Sequence, residues 1–175
     1  MGCNMKQMTA MSIGIGLLGG LATYLTATFL PLQVWVIFIA WASFFVAGGG
    51  VAGLRQSVAS NLVGVLIASL SLIAATALGG SAIAAAVCVG VGSAAMVQVG
   101  RSGLLSLTPT VVFGFASTVG TSAAIGLPIT HAGISNPAIV AAASVIAGGI
   151  FGIAHEKLAN ALVKPKVESQ VSTDP

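Results

Sequence analysis

Acidic residues are almost missing from this sequence: three occur in 175 residues, and none precedes Glu156. Charged residues of both signs together make up 5%, whereas soluble domains carry about 25% because their surfaces must face water. A chain so short of charge cannot cover itself with polar groups, so its outer surface must face lipid. Without carboxylates in its apolar part, it has no acid–base pair of the kind that general catalysis needs. His131 and His155 have no partners at metal-ligand spacing. The Gly-rich stretches lack the Lys-Ser/Thr of a phosphate loop. No catalytic, metal or cofactor residue is therefore assigned, and an enzyme is not expected.

Cysteine is equally scarce. Cys3 and Cys88 form neither a disulfide framework nor a metal spacing, and Cys88, inside an apolar run, reads as a buried free thiol. Met1-Gly2-Cys3 suggests acylation, but Lys6 stands where the myristoylation pattern wants Ser or Thr. The net charge of +3 comes from only six basic residues, too few for a nucleic-acid surface, and is better read as topology. The N-terminal stretch begins as a signal peptide would, yet its apolar run continues to about Phe29. It is read as a retained first helix.

What remains is 57% hydrophobic, with a mean hydropathy of +1.07. Apolar runs long enough to span, about 20 residues each, predict six transmembrane helices: about 8–29, 32–50, 57–78, 81–100, 104–124 and 137–154. Lys6, Arg55, Arg101, Lys157, Lys164 and Lys166 then all fall on one side, which the positive-inside rule makes cytoplasmic. The other connections, around Pro31, Gly79-Gly80 and His131, carry no Lys or Arg. Both termini are expected in the cytoplasm, with residues 1–156 as the membrane domain and 157–175 as a polar tail.

One stretch organises the rest: Trp35 to Asn61, WVIFIAWASFFVAGGGVAGLRQSVASN. An aromatic helix breaks at three glycines, passes one arginine and reaches a Ser-Asn pair. Residues 111–140, VVFGFASTVGTSAAIGLPITHAGISNPAIV, repeat the plan, with Phe115-Ala116-Ser117 for Trp41-Ala42-Ser43 and Ser135-Asn136 for Ser60-Asn61. Three-helix units at about 8–78 and 81–154 have an odd number of crossings, so two such copies would be inverted repeats. Glycines at four-residue spacing, such as Gly148 with Gly152, suit close helix packing, whereas Gly48-Gly49-Gly50 and Gly126-Leu127-Pro128 suit broken or re-entrant segments.

Candidate site residues follow from this plan. Trp35, Phe38, Trp41 and Phe45 lie near one helical face and either contact lipid or line a constriction, with Phe44 beside them. Asn61 and Asn136 are amides that need partners in hydrocarbon, as helix caps, as an interhelical bond beside Ser60, or as polar site groups. His131 lies in an outer connection, either as a solvated loop residue or as a switch. Arg55 and Arg101 read as topology determinants. No ionisable group has a secure intramembrane position, so hydroxyls, amides and aromatic faces are left to handle a small neutral solute.

The segment WASFFVAGG, Trp41 to Gly49, resembles a family of small, uncharacterised bacterial inner-membrane proteins with a Trp-Ala-Ser-aromatic-aromatic motif. More loosely, two inverted halves with aromatic constrictions and no membrane carboxylates look like urea and ammonium channels. Those are longer chains, and their signature sequences are not evident here. The expectation is an all-α integral membrane protein of the bacterial inner membrane that forms a homo-oligomer, with a trimer as the first guess. It would be a passive facilitator for urea, an amide or ammonia, using Trp41, Ser43, Phe44, Phe45, Asn61, Phe115, Ser117, His131 and Asn136. The alternatives are a carrier for a small organic anion and a non-transporting membrane scaffold or assembly subunit.

Overall fold

In the computed structural model the described residues are 6–101, 103–105 and 107–163. Cys3, Lys164, Lys166 and most of the expected polar tail lie outside them. Six α-helices follow one another: α1 (Gln7–Thr28), α2 (Val34–Val46), α3 (Gly50–Ala77), α4 (Ala82–Val99), α5 (Thr108–Ile125) and α6 (Pro137–Leu162). A 3-10 turn, Gly103–Leu105, precedes α5, and no strand occurs among the described residues.

Four helices, α1, α3, α4 and α6, are long and apolar enough to cross a membrane. The 13 residues of α2 rise about 20 Å, short of a hydrocarbon core of about 30 Å. In α5 the hydroxyls of Thr108, Thr110, Ser117, Thr118, Thr121 and Ser122 dilute the apolar character. Large apolar side chains, among them Leu17, Leu66, Leu70, Ile83, Val91 and Ile150, point outward. Such faces fit lipid contact and make this a membrane-embedded protein.

Two boundaries differ from the sequence expectation. α3 starts at Gly50 rather than Ser57, so Arg55 lies in its second turn, exposed, and not in a connection. α2 and α3 are separated only by Ala47, Gly48 and Gly49, and Gly48, Gly49 and Gly50 all take positive φ, which reverses the chain without a longer loop. α6 runs to Leu162 rather than Ala154, because HEKLANAL is rich in helix formers and its buried stripe continues through His155 and Ala159. His155 and Glu156 therefore belong to the helix, with the His155 imidazole buried in the bundle and Glu156 half-buried.

The bundle is built on small residues. α2 and α6 run parallel: the Gln33 N–H donates to Ser144 Oγ (3.0 Å), Gly148 faces Ile37 O and Trp41 N, and Gly152 faces the Phe44 ring. α3 and α5 meet as closely. A Cβ at Gly64 would strike Val111 O, and one at Gly114 would strike the Asn61 backbone, so both glycines are needed for the crossing. Apolar packing completes the core, with Ala68, Met96, Val111 and Phe115 in one cluster and Val36, Ala40 and Val145 in another. Cys88 is a buried free thiol.

Candidate functional site

The α3 residues that face inward are Gly53, Ser57, Ser60, Asn61, Gly64, Val65, Ala68, Ser71 and Ala75, a helical stripe that is mostly small and is polar in its middle. On α5 the matching stripe is Thr110, Gly114, Ser117, Thr118 and Thr121. Because Gly64 and Gly114 bring the two backbones together, these hydroxyls and the Asn61 amide are sealed in the bundle. Asn61 is 1% exposed, and Ser60, Ser117, Thr118 and Thr121 are 0%. Buried polar groups normally find partners, since an unpaired one costs about 1–3 kcal/mol.

Some do. Asn61 Nδ2 donates to Ser43 Oγ on α2 (2.7 Å) and to Ser57 O (2.8 Å). Thr118 Oγ1 donates to Gly114 O (3.0 Å) and Thr110 Oγ1 to Leu107 O (2.7 Å). Four do not: Ser60 Oγ, Asn61 Oδ1, Ser117 Oγ and Thr121 Oγ1 have no hydrogen-bond partner among the described residues. Unpaired polar atoms thus lie along the buried faces of α3 and α5, a seam that α2 reaches at Asn61 through Ser43.

A second polar centre joins α6 to three other helices. His155, 2% exposed, accepts at Nδ1 from Trp41 Nε1 (3.2 Å), and its Nε2 lies 2.8 Å from Met11 O on α1. The indole only donates and the carbonyl only accepts, so the imidazole is neutral with its hydrogen on Nε2. Gly14 leaves room for this ring, and Phe45 meets it edge on at 5.3 Å. The next residue, Glu156, accepts from the Gly50 N–H through Oε2 (2.8 Å) and so caps the N-terminus of α3, whose N-cap residue is a glycine.

The residues singled out from sequence separate into three places. Ser43 and Asn61 are bonded to each other, and Ser117 lies one turn along α5 from the Gly114 that touches Asn61. Trp41 and Phe45 gather with His155, while Phe44 is fully buried against Gly152. Phe38, Trp41 and Phe45 also border a cavity of about 360 Å³ with Ile15 and Ala42. Phe115 is core packing for α3, α4 and α5 and does not join Trp41. His131 and Asn136 lie together in the α5–α6 connection. There Asn136 Nδ2 donates to His131 O (2.7 Å) and Ile129 O (2.8 Å), and its Oδ1 caps α6 at Ala138 N (2.8 Å). Asn61 inside a helix and Asn136 at a helix start are thus not in equivalent positions.

A profile of the family described as Protein of unknown function (DUF1097) matches residues 12–160. The chain belongs to this family. No curated protein and no solved structure matches it significantly. The DUF1097 match enters within α1 and ends within α6, so both polar centres lie inside it except for Met11, one residue before its start. Membership brings no activity, and the likeness to urea and ammonium channels gains no support from these comparisons.

Within this DUF1097 chain, sequence reasoning assigned no site role to His155, Glu156, Ser57 or Thr121. A signal existed for the first: Ser144, Gly148, Gly152, His155 and Ala159 recur at four, four, three and four residues, one continuous inward stripe. Nothing local could indicate that Glu156 caps a helix 106 residues earlier in the chain.

Proposed function

We propose that this protein is a passive facilitator for a small polar, uncharged solute of the urea, amide or ammonia class, and not an enzyme. The observation that carries the reading is the seam of Ser60, Asn61, Ser117 and Thr121, whose buried polar atoms are unpaired among the described residues at the centre of a bundle with an apolar exterior. Groups that can exchange hydrogen bonds with a passing molecule lower the penalty of stripping its water.

In this reading all six helices cross a bacterial inner membrane, with α2 and its Gly48–Gly50 turn forming a broken span and the two three-helix halves inverted. Support for the topology comes from the end at which the basic residues gather. Met11 of α1 meets His155, Gly50 of α3 meets Glu156, and Arg55 borders one cavity with Gly103, two residues after Arg101. Lys6, Arg55, Arg101 and Lys157 therefore share the end assigned to the cytoplasm. A pore through only six small helices would be thin-walled, which favours a homo-oligomer, with a trimer first.

A carrier for a small organic anion is the second reading. It draws on Arg55, exposed on a cavity of about 540 Å³ that also includes Ala52, Gln56 and Gly103. The test is stopped-flow light scattering on proteoliposomes challenged in turn with urea, acetamide, glycerol and ammonium, against empty liposomes. Selective acceleration is expected for one of them. No acceleration by folded, inserted protein would overturn the facilitator. Anion flux that tracks membrane potential would then support the carrier, and copurification of a fixed partner would support a scaffold.

A further inference from the structure

The amide of Asn61 can be oriented from its partners alone. Ser57 O is a backbone carbonyl and can only accept, so the atom 2.8 Å from it must be the amide nitrogen. The same nitrogen gives its other hydrogen to Ser43 Oγ at 2.7 Å. Both amide hydrogens are committed within the protein, and Oδ1 has no partner among the described residues. Asn61 therefore offers the interior of the bundle an acceptor and nothing else. Ser60, Ser117 and Thr121 are hydroxyls, which can donate or accept.

This inventory is one-sided. A ligand that only accepts hydrogen bonds could satisfy the hydroxyls but would leave the Asn61 carbonyl dehydrated and unpaired. A ligand with an N–H or O–H can also donate to Asn61 Oδ1, the one of the four atoms that a pure acceptor cannot pair. We infer that Asn61 is the specificity-determining residue of the seam and selects solutes that carry at least one N–H or O–H donor. The site takes hydrogen-bond donors such as primary amides, urea or ammonia, and rejects polar molecules of similar size that only accept. Ser43 and Ser57 are positioning residues, because they hold the amide so that its oxygen is the free end.

This inference rests on the facilitator reading, and one experiment separates the two. Entry of acetamide and of dimethyl sulfoxide, a polar solute of similar size with no N–H or O–H, is followed in proteoliposomes by stopped-flow light scattering, against protein-free vesicles. Wild-type protein is expected to accelerate acetamide and leave dimethyl sulfoxide at the vesicle rate. Asn61→Leu, similar in volume but without the carbonyl, should lower the acetamide acceleration about tenfold, as loss of one buried hydrogen bond implies. Equal acceleration of both solutes by wild type overturns donor selection while leaving a facilitator in place. A folded Asn61→Leu protein with unchanged acetamide flux overturns the role of Asn61. Acceleration of neither of these, nor of urea, glycerol or ammonium, overturns the facilitator and this inference with it. The wild-type comparison holds even if Asn61→Leu fails to fold.

Discussion

Trp41 donates its indole N–H to His155 Nδ1 across 3.2 Å, and the two rings also meet edge to face with centroids 5.2 Å apart. Both residues are 2% exposed. The contact ties α2 to α6, and Nε2 of the same imidazole ties α6 to α1.

Trp41→Phe keeps an aromatic ring in place but removes the donor, leaving His155 Nδ1 buried and unpaired. The expected loss is about 1–3 kcal/mol. Unfolding in mixed micelles, followed by circular dichroism, measures it. Truncating both partners in Trp41→Phe with His155→Leu should cost less than the sum of the single changes, because neither then leaves an orphaned group. Additive losses would deny that the hydrogen bond matters.

Gly114 faces the Asn61 backbone and Gly64 faces Val111 O, whereas Gly16 on α1 has open space around it. Gly114→Ala must push α3 and α5 apart and is expected to destabilise the protein by about 1–3 kcal/mol or more. Gly16→Ala should be neutral or slightly stabilising, as alanine is the better helix former. The same unfolding assay on both variants decides, and equal stability of the two would contradict the described crossing.

Glu156 reaches the N-terminus of α3 from another helix. Glu156→Ala removes that cap and is expected to cost about 0.5–2 kcal/mol. Hydrogen exchange should show faster exchange at Gly50 and its neighbours in the first turn of α3, with α4 and α5 unchanged. Uniform exchange across the protein would mean that the carboxylate does not hold this end.

Asn136 makes three hydrogen bonds within the α5–α6 connection and first turn of α6. Asn136→Ala should destabilise by about 1 kcal/mol or more through loss of the cap. Its effect on solute flux should be small beside that of Asn61→Leu, since Asn136 is remote from the seam. Equal loss of flux in the two variants, both folded, would return Asn136 to the site.

Much of the architecture could be read from the chain. Apolar runs located all six helices, and Ser81, Asn136 with Pro137, and Gly126 marked helix ends by their local chemistry, as N-caps, a first-turn proline and a left-handed C-cap. The start of α3 could not be read so. Gly50 to Gln56 contains two glycines and an arginine, weak helix formers and a charge, and is held helical by Glu156 from 106 residues away. The Ser43–Asn61 pair was half legible: each residue stood out as polar in an apolar run, yet their bond depends on how α2 folds back on α3. The pairing of Trp41 with His155 was not legible at all, because 114 residues separate them and no spacing rule spans that distance.

The position of residues 155 and 156 also bears on how the molecule is made. Helices α1, α2 and α3 leave the ribosome before α6, yet one histidine and one glutamate on α6 bind all three. The first half of the bundle can enter the bilayer early, but its locking contacts form only when the sixth helix arrives. Until then the Trp41 indole and the first N–H groups of α3 must find other partners. Chains halted before Gly152 should therefore be the ones that cellular quality control removes.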